Sequence, residues 1–359
     1  MENGKIVIKE NTKRIGSDEY NKYKKPLNDK TIMVSINGTL GNVAFYNNEK
    51  IILGKSACYL NVLKCVDKYF LKYLFNSLYF INYANNEATG STIKNVSLKS
   101  MRELPIPLPP LPEQHRIVSQ LDQLFERIDK SIELLQENIK NTESLVKSSL
   151  SKLIEDTEKS KKLKIKDITT FVGSGFACNK SNEVPDGYVH LRTHNIDVYG
   201  NLNFDLLIKI DNSKVDAKHS KLKKGDVIFN NTNSKELVGK TCIVDKDYDY
   251  GYSNHLTKIQ VNHKIIKPEF LVLYLNKLFN DGYFLQICNK WIGQAGVNNS
   301  MLNDIFVPIP DLNKQTEIFE QYEKIKISTQ QLKSEQQTKL ANLKLLKSSL
   351  LDSAFKGEL

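Results

Sequence analysis

Apolar residues recur every seven positions along one stretch of the chain. They run from Val118 through Phe125, Ile132, Ile139 and Val146 to Leu153. Leu121, Ile128 and Leu135 fill the second apolar position, which then gives way to Thr142 and Ser149. Heptad spacing of this kind predicts a long helix with a coiled-coil seam. After Pro112 the next helix-breaking residue is Gly173, and about 45 residues at 1.5 Å each predict a helix of roughly 65–70 Å. A weaker copy lies near the end. There Ile318, Ile325, Leu332 and Leu346 hold the period, with Tyr322, Leu343 and Leu350 beside them and Gln336 and Lys339 interrupting it. Two such helices in one chain most simply pack on each other. A homo-oligomeric coiled coil with incidental flanking domains is the blander reading.

The chain also repeats itself at a spacing near 200 residues. FLKYLFNSL from Phe70 faces FLVLYLNKL from Phe270, with Asn76 against Asn276 and Leu78 against Leu278. PLPPLPEQ ends at Gln114 and PIPDLNKQ at Gln315, and LVKSSL from Leu145 faces LLKSSL from Leu345. Upstream, SINGTLGNVAF from Ser35 faces NNTNSKELVGKTCIV from Asn230, pairing Gly41 with Gly239. Four matches in one order at nearly one offset mark a tandem duplication, and a period this long implies two domains rather than a solenoid. Within each copy, β-rich runs such as DVIFNN and KTCIV between Asn/Gly/Asp turns read as strands. The Phe70 and Phe270 segments read as helices; residues 69–83, too polar to span a bilayer, read as one buried amphipathic helix. Each copy closes on a proline-rich stretch that delivers the chain to a new helix. The predicted class is α+β, with mixed α/β domains at 1–109 and 161–309 and long helices at 110–160 and 310–359.

Composition narrows the function. Lys and Arg total 51 against 41 Asp and Glu, for a net charge of +10. Residues 1–110 carry +7, 111–160 carry −3, 161–310 carry +5 and 311–359 carry +1. The positive charge therefore sits on the globular parts, which makes them, rather than the helices, the expected faces for an anionic partner such as DNA. Candidate base-reading side chains cluster in Asn/Thr/Ser/Lys runs, since such groups suit the edges of adenine and guanine. In the first copy these are Ser35, Asn37, Thr39, Thr92, Lys94 and Asn95. In the second they are Arg192 and Asn195, with His190, Thr193 and His194 in the same run, then Asn230, Asn231, Asn233, Ser234 and Lys235, and finally Gln294 and Asn298. Taken singly, each run also reads as an ordinary turn. Five scattered cysteines, with no CxxC, read as reduced, mostly buried thiols, and the start MENGKIVIKE lacks a signal-peptide core. No phosphate-cradling GxxxxGK[ST], glycine-rich cofactor turn, NPPY-like tetrapeptide or histidine metal cluster is present; a nuclease trio of Asp186, Asp216 and Lys218 has loose spacing. No catalytic or metal site is expected.

The duplicated layout, the LPIPLPPLPEQ helix entry, the KSSL near the helix ends and the terminal AFKGEL together resemble the specificity subunit of Type I restriction-modification systems over essentially the whole chain. The resemblance implies two target-recognition domains, each followed by one of two helices forming an antiparallel coiled coil, in a pseudo-two-fold tandem repeat. It implies a non-enzymatic, cytoplasmic protein with no membrane contact that reads a split double-stranded DNA site, one half per domain, the helix pair setting the gap. It implies methyltransferase subunits that use S-adenosylmethionine, and restriction subunits that translocate and cut with ATP and magnesium, while this chain holds no cofactor. In the second copy LKIKDITTFVGSGF and the residues after it, from Leu163, have no counterpart in the first, where MENGKIVI aligns with YGNLNF, Gly4 against Gly200. The first domain is therefore expected to be short at its front. The competing reading is a tandem-domain protein-interaction scaffold.

Overall fold

A computed structural model describes residues 1, 4–90 and 94–359. The chain divides into two compact units, Met1–Ile139 with Glu335–Leu359, and Lys140–Ser334.

In the first unit, α1 (Ser17–Tyr23) buries no side chain. Strands β1 (Thr31–Ser35), β2 (Val43–Phe45) and β3 (Ala57–Asn61) form an antiparallel sheet in the order β2-β1-β3, with Met33 opposite both Ala44 and Tyr59. All five residues of β1 are buried, as a short apolar run flanked by turns suits a central strand. Helix α2 (Lys68–Asn76) starts where the Asp67 carboxylate accepts the Tyr69 and Phe70 N–H groups, each at 2.8 Å. It buries Phe70, Leu71, Tyr73, Leu74 and Phe75, and stops at Ser77 before α3 (Leu78–Glu87). The single helix expected over 69–83 is thus two, because the Ser77 hydroxyl donates to the Leu74 carbonyl at 2.6 Å and the chain turns there. Gly41 has φ +80, and a Cβ there would lie 2.3 Å from the Phe75 carbonyl oxygen, so only glycine fits. Helix α4 (Leu98–Glu103), capped by the Ser97 side chain, leads through the prolines to α5 (Leu111–Glu155).

The second unit runs through β4 (Lys162–Lys164), α6 (Ile165–Ile168), β5 (Thr169–Ser174), β6 (Glu183–Leu191), β7 (Lys209–Ile210), β8 (Ser220–Leu222), β9 (Val227–Asn230), β10 (Thr232–Asn233), β11 (Thr241–Ile243), β12 (Tyr248–Tyr252) and β13 (Leu256–Val261). It continues through α7 (Pro268–Asn280), α8 (Tyr283–Ile287), β14 (Asn289–Trp291), β15 (Gln294–Gly296), α9 (Asn299–Asn303), β16 (Phe306–Pro308) and α10 (Leu312–Lys356). Its sheet β11-β9-β13-β5 contains the strand order of the first unit's sheet. Gly239, φ +99, abuts Phe284 as Gly41 abuts Phe80. A second sheet, β7-β6-β12-β8, encloses a core of Leu191, Ile196, Leu222, Ile228, Cys242, Val244, Tyr252 and Leu256. Among its described residues the first unit has only the one sheet. The expected mostly buried thiols hold for Cys58, Cys242 and Cys288; Cys65 is exposed and Cys178 half-buried.

The repeated proline-glutamine entry has one physical role in both copies. Gln114 is fully buried: its Oε1 accepts the Asp67 N–H at 2.8 Å, and its Nε2 donates to the carbonyls of Cys65 (3.1 Å) and Pro109 (2.8 Å). Gln315, equally buried, accepts the Lys267 N–H at 2.8 Å and donates to Ile265 (3.2 Å) and Pro310 (2.9 Å). One amide supplies one acceptor and two donors to backbone groups otherwise cut off from water. It latches each long helix to the loop that starts α2 or α7.

Within each unit the long helices run antiparallel. In the first, Leu121, Phe125 and Ile128 share a core with Leu351 and Ala354, Lys347 pairs with Asp129 at 2.6 Å, and Arg116 donates to the Leu359 carbonyl at 2.7 Å. In the second, Leu150 and Ile154 share a core with Ile318 and Tyr322, and Lys333 pairs with Glu143 at 2.5 Å. The α5 seam follows the heptad as far as Thr142, with Leu121, Phe125, Ile128 and Thr142 buried and Val118, Ile132, Leu135 and Ile139 half-buried. Beyond it the buried residues are Leu150 and Ile154, off the heptad, while Val146 and Leu153 are half-buried. The α10 seam departs from it. Ile318 is buried and Ile325, Leu343 and Leu350 half-buried, but Leu332 is 43% and Leu346 46% exposed. The covered positions Ile318, Thr329, Leu340 and Leu351 instead recur every eleven residues. That spacing of 3.67 residues per turn stays close to the 3.6 of an unstrained helix, whereas a strict heptad drifts off the face by about 20° per repeat.

Candidate nucleic-acid interface

The loops that composition singled out converge in pairs, once per unit. In the first unit the turn after β1 meets the segment before α4. Val96 N–H donates to the Ile36 carbonyl at 2.8 Å, Gly38 N–H to the Lys94 carbonyl at 3.0 Å, and the amides of Asn37 and Asn95 approach at 3.4 Å. In the second unit Val297 N–H donates to the Asn231 carbonyl at 2.8 Å, and β10 pairs with β15 in the small sheet β10-β15-β14. The same backbone bond, from a buried valine just ahead of a short helix to the residue after β1 or its counterpart β9, therefore recurs in both copies.

Not every side chain in these runs faces outward. Thr39, Lys94, Lys235, Gln294 and Asn298 are exposed, and Asn37, Asn95, Arg192, Asn233 and Ser234 half-buried. Thr92 lies outside the described residues. Ser35, Asn195, Asn230 and Asn231 are corrections, since all four are buried. Ser35 donates to the Thr39 carbonyl and accepts the Asn42 N–H, closing its own turn. Asn195 caps the turn after β6, with its Oδ1 on the Arg192 N–H and its Nδ2 on the Asn203 and Leu206 carbonyls. Asn230 ends β9 with no solvent exposure. Asn231 donates to Thr257 Oγ1 and to the Asn254 carbonyl, at 2.9 and 3.0 Å. Asn298 caps α9 through the Met301 N–H. Arg192 is drawn inward by the Cys178 carbonyl at 3.2 Å and Glu183 at 3.7 Å.

Lys240, which composition did not flag, is buried, with Nζ donating to the Thr193 and Ile196 carbonyls. It fixes the loop that carries Arg192, and burial lowers its pKa. His190 lies inside β6 rather than in a loop, against the Phe176 ring at 4.5 Å between centroids. Burial first, then the nearby Arg192 charge, lowers its pKa from 6.5 to about 4. The neutral ring donates from Nε2 to the Phe176 carbonyl at 3.2 Å. Above pH 6.5 the imidazole is neutral in the folded and the unfolded chain. Between 6.5 and about 4 the unfolded chain takes up a proton that the folded one refuses, so stability falls as pH drops, by roughly 3 kcal/mol in all. Thermal melts of the second unit across this window should show that slope, and His190→Gln should remove it.

Sequence reasoning also missed the end of the hairpin β14–β15. Trp291 is 59% and Ile292 106% exposed there, and Gly293 makes the turn with φ +76. The available signal was the chain's single tryptophan standing beside isoleucine and a turn glycine. Of the weighed nuclease trio, Asp216 is engaged with His219 at 2.8 Å. Among the described residues no three His, Cys, Asp or Glu side chains converge as metal ligands, and no helix is long and apolar enough to cross a membrane.

A twice-built α/β unit of net positive sequence, with one loop junction recurring in each copy and a helical connection between copies, is the plan of a protein that recognises DNA through paired modules. The chain belongs to the family of Type I restriction modification DNA specificity domains, whose sequence model matches residues 2–141 and 157–342. It is 22% identical to the EcoBI specificity subunit of Escherichia coli, covering 91% of this chain and 73% of that one. It is 24% identical to the EcoKI specificity subunit of E. coli strain K12, covering 88% and 74%. Its fold matches that of the HsdS subunit from Thermoanaerobacter tengcongensis with a TM-score of 0.57 at 20% identity, over 93% of this chain and 82% of that one. A chain from a study of assembly and conformational transition in a type I restriction-modification system matches at a TM-score of 0.76 and 21% identity, over 92% and 83%. DNA sequence specificity is accordingly this chain's role.

Proposed function

We propose that each unit reads one half of a split DNA site through its loop cluster, and that the chain directs partner subunits which do the chemistry. Methyltransferase subunits would supply S-adenosylmethionine-dependent adenine methylation, and restriction subunits ATP- and magnesium-dependent translocation and cleavage. The observation that carries the reading is the recurrence of one loop junction in both units, with Thr39 and Lys94 exposed in the first and Lys235 and Gln294 in the second. The relatives' names as specificity subunits and the duplicated fold support it.

The first test is a gel shift of the full chain on mixed-sequence duplex. Binding through lysines that displace condensed counterions must weaken linearly in log–log with salt, with a slope near −0.9 per phosphate contacted. A shift indifferent to salt, or none at any salt, contradicts the reading and favours a protein-binding scaffold.

A further inference from the structure

Trp291 and Ile292 form the tip of the hairpin β14–β15 and serve no core. The residues of this hairpin that do are Ala295 and, just beyond it, Val297, both buried. A Cβ on Gly296 would come within 2.9 and 3.1 Å of the indole Cζ3 and Cη2, so one edge of the ring packs over Gly296 on the neighbouring strand. The missing side chain at Gly296 is what makes room for it. Lys290 precedes the tip and is exposed. The same three-stranded sheet carries Asn233 on β10, and Lys235 follows two residues on. An apolar point on a sheet that also carries Lys290 and leads on to Lys235, which pairs with Glu236 at 3.7 Å, and that is continuous with the candidate DNA face, suits a nucleic-acid contact.

We propose that Trp291 and Ile292 are a wedge that lodges against a base step of the duplex, while Lys235 and Lys290 hold the adjoining phosphates; this rests on the DNA-reading role proposed above. Apolar side chains pressed between base steps unstack them locally and trade that cost for contact area. An indole stacked on a base contributes about 1–3 kcal/mol, or roughly five- to a hundredfold in affinity.

The protein carries its own probe, because Trp291 is its only tryptophan. Full-length protein is titrated with mixed-sequence duplex, with intrinsic tryptophan emission and a gel shift followed together. The expected result is quenching of emission as the shifted band forms, and about a twofold or greater loss of acrylamide access to the indole, as stacking excludes the quencher. Trp291→Ala and Ile292→Ser, both at exposed positions, should each weaken binding about five- to a hundredfold at an unchanged salt slope, since the phosphate contacts remain. A shifted band with unaltered emission, or Trp291→Ala binding as the wild type does, overturns the wedge while leaving the DNA-reading role intact. No shifted band at any salt overturns both. Emission that responds only when a methyltransferase subunit is added assigns the tip to a protein partner and likewise overturns the wedge.

Discussion

Gln315→Ala should lower the stability of the second unit by about 3 kcal/mol, because it strips partners from the Lys267 N–H and two carbonyls that water cannot reach. For a unit of this size that corresponds to a fall in melting temperature of roughly 6–12 °C. Gln315→Glu should be at least as damaging. A carboxylate cannot donate to the Ile265 and Pro310 carbonyls, and it would bury a charge beside them. Gln114→Ala should act the same way on the first unit, where the three bonds are repeated. The exposed Gln321, whose amide reaches only Glu317 on its own helix, is the control, and its alanine variant should stay within about 0.5 kcal/mol. Differential scanning calorimetry of the full chain, with amide exchange to assign each transition, makes the check. Equal melts for Gln315→Ala and Gln321→Ala would contradict the latch.

The double variant Lys235→Ala/Gln294→Ala should relax one half of the recognised DNA site by about ten- to a hundredfold and leave the other half's sequence requirement unchanged. Both side chains are exposed, and neither is used by the fold to cap a helix or satisfy a buried backbone group. A lost base-edge contact costs about 1–3 kcal/mol of discrimination. Base-resolution methylation mapping of host DNA, with the variant in place of the wild type, reads the outcome. Relaxation of both halves, or of neither, would count against one reader per unit. Asn231→Ala is the instructive contrast. It removes the bonds to Thr257 and Asn254 and should show itself as lost stability rather than altered specificity.

That contrast marks where the sequence stopped being legible. The duplication could be seen directly, because Gly41 and Gly239, Phe70 and Phe270, and Gln114 and Gln315 occupy equivalent structural positions, and steric and hydrogen-bond constraints hold such residues in place. Leu150 and Ile154 are buried off the heptad, but as far as Thr142 the α5 seam was legible. The α10 seam was not, because Leu332 and Leu346 satisfy a seven-residue count while an eleven-residue one governs the buried face. The turn after β1 and the segment before α4, and their counterparts in the second unit, were legible as loop runs, which meet in space, but composition could not tell inward amides from outward ones. Asn is equally suited to a base edge and to an orphan backbone group, and Asn195 and Asn231 were taken up by the second use. Asn230 was decidable in principle, since it directly continues the buried run Val227, Ile228, Phe229. Trp291 was passed over because one aromatic residue among loop amides gives no periodic signal.

The partition of the chain sets an order on its birth at the ribosome. The second unit is one contiguous run, 140–334, whereas the first needs residues 335–359 to close its core, with Leu351 and Ala354 covering Leu121, Phe125 and Ile128. Domains generally complete in the order they are translated; here the earlier-made unit must wait for the last-made helix turns. Throughout the translation of the second unit, the nascent first one holds an uncovered greasy stripe, and that interval is when chaperone protection matters most to this polypeptide.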